Sequence, residues 1–485
     1  MLTPRVWLIL GLALALRAAL FPFAENKHGD APMRALIAER MVLDPASAAD
    51  PRTYCQFGPL HTALMRPFVA ADPLAPRSTR YLSLLAGIAV FFPFLALAEQ
   101  LVGRPRAALA AFALAVSPLH LQASTTASSE ALYLLLFVGA LERLLAGLDG
   151  GRARDFAVAG LLASLAAVTR YDAWLALPLL VLAAALLRPE ALRAPFRKLA
   201  VFSAAAALCP LIWLVWGARV GGDALFFAHY ISADHTGLAA TALARYGPVL
   251  GRLRQLGIWA LAFVAAMTLP GAVLAGVALR RGLRPLSRPM RLVVVAALGP
   301  PAIYLLRGLL FGSFEPLARF ALVPGALLLP LAVSALPAPP ARVRAFQLGA
   351  LASAALFSVA VWLVATVGRE RIWAGAESMG ALTRLDGEDR ALARYLRAHR
   401  PPGAPVMIEP HVFADIAIEH AGGVPWTEAV SLIVTREPRA TVAETLRATG
   451  AQFLVGYDQD GGWPRRLPDW PAHGVRFGRW RVVAR

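Results

Sequence analysis

"VWLILGLALALRAALFPFAENKHGDAPMR" occupies residues 6–34. Its first part, Val6 to Phe23, is an apolar run of the length that crosses a bilayer. Directly after it come Glu25, Lys27, His28, Asp30 and Arg34. A loop that needed only to be soluble could use Ser, Gly and Asn. The charges are either a polar collar at the membrane interface or the edge of a place where chemistry happens, and the rest of the chain has to decide between them.

The surrounding composition is that of a membrane protein. The chain is 58% hydrophobic and only 16% charged, against roughly 45–50% and about 25% for soluble domains. Apolar runs recur through the first three-quarters and suit about eleven transmembrane helices. They fall at 5–23, 80–101, 107–123, 130–147, 154–170, 172–187, 199–218, 256–279, 292–310, 320–336 and 345–367. The split at "TRYD" (169–172) is made because an arginine and an aspartate at mid-membrane would cost several kcal/mol, whereas a hairpin at the surface would not.

The formal charge of +18 does not point to nucleic acid, because it is nearly all arginine gathered in short links. "GRPR" (103–106), "DGGRAR" (149–154), "RPEALRAPFRK" (188–198), "RRGLRPLSRPMR" (280–291) and "RVR" (342–344) alternate with links that are almost free of arginine. This asymmetry sets the arginine-rich side in the cytoplasm. It places the amino terminus inside the cytoplasmic membrane, and the loops 24–79 and 219–255 and the carboxyl terminus outside. The opening run has no small-residue cleavage site and reads as a retained first helix. Cys55 and Cys209 fall in a loop and an apolar run, so no disulfide framework is expected.

Two domains are expected: a transmembrane domain over 1–367 carrying the outer loop 24–79, and an extracytoplasmic α/β domain over 368–485. Within the first loop, "PMRALIAERMVL" (32–43) sets Met33, Leu36, Ile37 and Met41 on one helical face, with Arg34 and Glu39 on others, which suits a helix lying in the interface. "FGPLHTALMRPF" (57–68) looks similar. Near the carboxyl end, "DGEDRALARYLRAHR" (386–400) has the pattern of a soluble amphipathic helix. "APVMIE" (404–409) and "AQFLVGY" (451–457) read as strands, and "VRFGRWRVVA" (475–484) as a strand or hairpin. No Gly-rich phosphate loop follows a strand, so no nucleotide is assigned.

Four polar elements fall on the outer face in this topology. The first is the Glu25, His28 and Asp30 group, a place for a carboxylate that deprotonates a hydroxyl arriving from outside. In "SPLHLQASTTASSEALY" (117–133), His120, Gln122 and Glu130 come together, although Glu130 also suits a helix start. "TRYDAW" (169–174) offers Arg170 as a membrane-edge anchor or as a fork that holds phosphate. "FEPLARFALVP" (314–324) brings Glu315 and Arg319.

The order of these elements resembles the membrane-embedded GT-C glycosyltransferases, the superfamily of the dolichyl-phosphate-mannose protein mannosyltransferases and the lipid A aminoarabinose transferase. The resemblance covers about residues 1–365. It rests on "HGD" (28–30) early in a long outer loop, "FGPL" (57–60) deeper in it, and Ser117, Pro118, His120, Ser124 and Glu130 in order. It rests also on the "TRYD" turn and on "ARF…P" at 318–324. The resemblance implies an inverting glycosyltransferase with a polyprenyl-phosphate sugar as donor, held among membrane lipids at the outer face, and an acceptor hydroxyl on a glycan, lipid or protein. In that role Asp30 is the base, Glu130 a second catalytic carboxylate, and Arg170 and Arg319 the donor-phosphate ligands. His28, His120, Tyr171 and Asp172 orient substrate. The first loop, 24–79, opens with a single aspartate, Asp30, rather than an adjacent acidic pair and holds no DxD motif, so a divalent metal stays open as a cofactor without a motif to support it, and no metal ligand is assigned. A transporter or lipid flippase is the alternative, and an assembly scaffold another. The acid-poor spans speak against the transporter.

Overall fold

The computed structural model describes residues 4–27, 30–72, 77–150, 152–187, 195–336, 340–367, 379–409, 414–430, 440–458, 462–471 and 474–485. The chain divides into two compact units. The first comprises Met1–Pro22, Asp50–His61 and Leu82–Leu382, and the second Phe23–Ala49, Thr62–Tyr81 and Thr383–Arg485. Most of the first loop thus groups with the carboxyl-terminal segment rather than with the helices that flank it.

The first unit is helical. Six of its helices are long and apolar enough to cross a membrane, or seven if the bent pair Arg104–Val116 and Pro118–Thr125 is one span. Val6–Leu20, Asp172–Leu186 and Ala318–Ser334 are apolar but shorter, and Ala153–Ala167 has 15 residues. The 60° bend in the pair has a local cause. Pro118 drives Ser117 out of the helical region, to φ −58°, ψ 121°, and the Ser117 hydroxyl then caps the next helix by accepting from the His120 amide. A second break, at Thr268 (φ 63°), kinks Pro248–Arg280 just before Pro270.

Burial separates central from peripheral helices. The Glu130–Gly150 span is 72% buried, against 22% for Arg197–Val220 and 11% for Ala341–Val361. The last two show Leu211, Ile212, Leu348 and Leu356 to the outside, as a lipid-facing surface requires. Ala153–Ala167 packs between Glu130–Gly150 and Pro195–Val220. Gly160 permits this, since a Cβ there would lie 2.4 Å from the Phe202 carbonyl oxygen. The segment 219–255, expected to be a loop, instead contains the helix Phe226–Tyr246 and the start of Pro248–Arg280.

The second unit holds a four-stranded sheet of order β1 (Val406–Ile408), β2 (Phe453–Tyr457), β4 (Trp480–Ala484), β3 (Val475–Phe477). β1 and β2 are parallel and β3 and β4 form an antiparallel hairpin. Its turn is Gly478-Arg479, and Gly478 takes φ 59°, as a two-residue hairpin demands. Arg479 then pairs with Asp386 (2.9 Å) and Asp389 (2.8 Å), while the Trp480 indole donates to Asp389 (2.8 Å). The hairpin is thereby fastened to the helix Gly387–His399. The helix Ala31–Leu43 also belongs here and packs on Ala414–Ala421. Arg34 and Glu39 are both buried, so this is a packed internal helix rather than one floating in the membrane interface with its charges in water. Glu25 and Lys27 are likewise tied down within the unit. The Glu25 carboxylate accepts from the Leu385 amide, and Lys27 pairs with Asp386 at 3.0 Å.

Candidate active site

The site forms where three apolar helices begin. Glu130 opens Glu130–Gly150 and Asp172 opens Asp172–Leu187, so each carboxylate faces free amides and the positive end of a helix dipole. Between them the chain turns sharply at Thr169 and Arg170, whose amides still bond back to Ala166. Arg319 comes from the 3-10 turn Ala318–Ala321 that leads into Leu322–Ser334.

Arg170 links the group. Its guanidinium is 2.6 Å from Glu130, 2.8 Å from Asp172 and 3.4 Å from the Ser129 hydroxyl. Arg319 approaches the same Glu130 oxygen at 3.6 Å. Both guanidiniums lie against the Phe320 ring, at 5.6 and 5.7 Å from its centre. The Tyr304 hydroxyl donates to the other Asp172 oxygen at 2.9 Å. Tyr304 stacks on Phe314 at 4.5 Å, which stacks in turn on His235 at 4.4 Å, making an aromatic wall. Beyond it Glu315 pairs with Arg254; burial raises the Glu315 carboxyl and Arg254 opposes that. Glu130, Arg170, Asp172, Tyr304, Arg319 and Phe320, with Tyr133, line a cleft whose free volume is only ≈ 20 Å³.

Four of the residues singled out in the sequence, Glu130, Arg170, Asp172 and Arg319, therefore meet. Tyr171 is adjacent, its hydroxyl bonded to the Phe57 carbonyl (3.1 Å) and its ring stacked on Phe227 at 4.2 Å. Arg170 is not at an exposed membrane edge. It is buried, and so is Thr169. His120 takes a different place from the outer link expected of it. Pro118–Thr125 carries it into the helical core, fully buried, with Nδ1 2.7 Å from Arg17 and 3.2 Å from the Leu114 carbonyl. There it packs against Arg17 and the Phe91 ring. Asp30 belongs to the second unit, where it is half-buried at the start of Ala31–Leu43 in helical geometry and makes no capping bond to that helix. His28 lies outside the described residues. Among the described residues no three His, Cys, Asp or Glu side chains gather to hold a metal ion.

The sequence profile of the dolichyl-phosphate-mannose-protein mannosyltransferase family matches residues 69–216, a stretch that includes Glu130, Arg170 and Asp172. No curated protein matches the chain in sequence. Among solved structures, ArnT from Cupriavidus metallidurans bound to undecaprenyl phosphate is similar with a TM-score of 0.68. The identity is 15%, over 99% of this chain and 97% of that one. The Archaeoglobus fulgidus oligosaccharyltransferase in complex with Zn and sulfate is similar with a TM-score of 0.53 at 16% identity, over 93% of this chain and 67% of the other. At such identities the likeness is one of fold. The resemblance read from the sequence holds at that level: this is a multi-pass membrane protein with the fold of the GT-C glycosyltransferases.

Proposed function

We propose that the chain is an inverting glycosyltransferase that moves a hexose or pentose from a polyprenyl-phosphate donor to an acceptor hydroxyl at the outer face of the cytoplasmic membrane. The observation that carries this reading is the convergence of Arg170 and Arg319 on one carboxylate, Glu130. Two guanidiniums over one aromatic ring, at the ends of apolar helices, suit a lipid-borne phosphate that takes the place of Glu130. ArnT, whose fold the chain shares, has been seen with undecaprenyl phosphate bound.

In the reaction the acceptor oxygen attacks the anomeric carbon from the face opposite the phosphate. The bond from that carbon to the phosphate oxygen breaks, and the electron pair leaves with polyprenyl phosphate. Arg170 and Arg319 stabilise the charge that grows on the departing phosphate. The acceptor's proton passes to the Asp30 carboxylate. Glu130, once the phosphate takes its arginines, is freed to orient the sugar or acceptor, with Asp172 and Tyr171 beside it. The topology belonging to this reading has eleven spans, a cytoplasmic amino terminus and the carboxyl-terminal domain outside.

Transfer by the purified protein from a radiolabelled polyprenyl-phosphate sugar tests the reading. Asp30→Asn keeps the shape but removes the basicity, and should lower the rate by about 10²–10⁴ while donor binding persists. Near wild-type transfer by Asp30→Asn would move the base elsewhere, with Glu130 next in line.

A further inference from the structure

The second unit contains a cavity of ≈ 540 Å³ lined by Arg80, Arg390, Arg394, Arg397, Glu25 and His420 together with small apolar residues. That volume is in the range of small-molecule sites, roughly 300–1,000 Å³. Three of the arginines share one face of the helix Gly387–His399, at positions i, i+4 and i+7. Like charges at this spacing cost a helix a few tenths of a kcal/mol per pair, so the arrangement works against the helix that carries it.

Among the described residues no carboxylate is paired with Arg390, Arg394 or Arg397. Arg390 donates to the Leu385 carbonyl (3.0 Å) and Arg397 to the Ala421 carbonyl (2.7 Å). The acids in that helix's first turn are engaged by the β-hairpin, Asp389 by Arg479 and Trp480, and Glu388 by the Arg479 amide. Glu25, the one acid lining the cavity, already accepts from the Leu385 amide. His420 contributes a buried Nε2 with no hydrogen-bond partner among the described residues. Burial, with Arg80 and Arg397 beside it, holds its imidazolium down to about 4, so it is neutral and can donate one N–H.

We propose that this cavity binds a phosphate monoester, the acidic group of a phosphorylated saccharide or of a lipid headgroup. Arg390, Arg394 and Arg397 against one carboxylate leave a surplus that a dianion matches better than a carboxylate does. Their planar forks suit tetrahedral oxygens. The proposal does not depend on the transfer reading, because binding without turnover decides it.

The full chain is reconstituted in phosphatidylcholine nanodiscs and titrated calorimetrically with glucose 6-phosphate, with glucose as control. Saturable binding of the phosphate ester alone is expected, weakening with salt. Arg390→Ala and Arg394→Ala should each weaken it by roughly tenfold or more. Arg394→Lys should fall between, and unchanged melting of Arg394→Ala, an exposed position, shows that the fold is kept. Discs containing phosphatidic acid separate the two sources. Competition with glucose 6-phosphate assigns the site to a lipid-borne phosphate, and undiminished binding assigns it to a soluble one. Absence of saturable binding to glucose 6-phosphate together with no effect of phosphatidic acid on melting, or equal affinity in wild type and both alanine variants, overturns the proposal.

Discussion

Replacing the two arginines one at a time separates a scaffold role from a donor-binding role. Arg170 is the only cation in contact with Asp172 among the described ion pairs, and the nearer of two at Glu130. Arg170→Ala would leave the buried Glu130 and the half-buried Asp172 short of a counter-charge, a change that for buried pairs typically costs about 3–5 kcal/mol. Three features hold the effect to the lower end, about 3 kcal/mol. Arg319 remains 3.6 Å from Glu130, Tyr304 still donates to Asp172, and both acids stay in the first turn of a helix. Arg319→Ala removes a 3.6 Å contact to Glu130 from a side chain 19% exposed, and should cost less than Arg170→Ala, about 1 kcal/mol. Thermal unfolding of each variant in one detergent, beside affinity for a prenyl phosphate, reads both quantities. Arg319→Ala should melt near wild type yet bind the lipid phosphate roughly ten- to a hundredfold more weakly. Arg170→Ala should melt clearly lower, and adding Glu130→Gln should recover part of the loss. Equal melting of wild type and Arg170→Ala would refute the assignment of Arg170 as the tie between the two acids.

Further consequences are narrower. Tyr304→Phe removes the donor to Asp172 without changing the stack on Phe314, and should cost about 1 kcal/mol in unfolding experiments with a smaller loss in transfer. Gly160→Val pushes a side chain into the Phe202 backbone and should lower stability by about 1–3 kcal/mol, seen as poorer expression and a lower melting point. Burial pushes the Glu39 carboxyl up to about 7, against a weaker opposing hydrogen bond from the Trp426 backbone. Because the folded value is the higher one, the stability it gives is complete below about pH 4.5 and is lost as the pH rises to about 7, some 3 kcal/mol in all. Melting points of the full chain at pH 5 and pH 8 should differ by less in Glu39→Gln than in wild type.

How much of this was legible in the sequence depends on contrast. Glu130, Arg170, Asp172 and Arg319 stand out because a charge at the end of an apolar run has to be accounted for, and the four do meet. Tyr304 and Phe320 did not stand out, since an aromatic ring in an apolar run looks the same whether it faces lipid or a site. Arg17 carried a readable signal: an arginine inside the first run needs a buried partner, and that partner is His120. Missing it left His120 on the outer surface. The helix Phe226–Tyr246 was hidden for the opposite reason, because "HYISADHTGLAATALARY" (229–246) has little apolar periodicity and much of it is exposed. The span count diverged because sequence windows reward apolarity. Val6–Leu20, Asp172–Leu186 and Ala318–Ser334 are apolar enough but short.

On the proposed function, the electrostatics of the site also constrain the order of events in donor binding. Two arginines and two carboxylates leave the cluster without net charge, and its ≈ 20 Å³ cleft has room for about one water. With so little free space, a donor phosphate bound there on the proposed function would take the place of a partner within the cluster. Arg170 is held by two acids and a hydroxyl, all within 3.4 Å, and moving it would strand Asp172. Arg319 is farther from Glu130, at 3.6 Å, is the more exposed of the two, and sits on a short 3-10 turn. The least costly exchange is for Arg319 to swing onto the phosphate first, drawing the Phe320 turn with it, while Arg170 keeps its acids in place. Glu130 then loses its second cation at the moment the sugar arrives. A carboxylate that becomes available only when donor is bound is protected from idle chemistry in the empty enzyme, and that gives the close packing of these opposite charges a catalytic purpose.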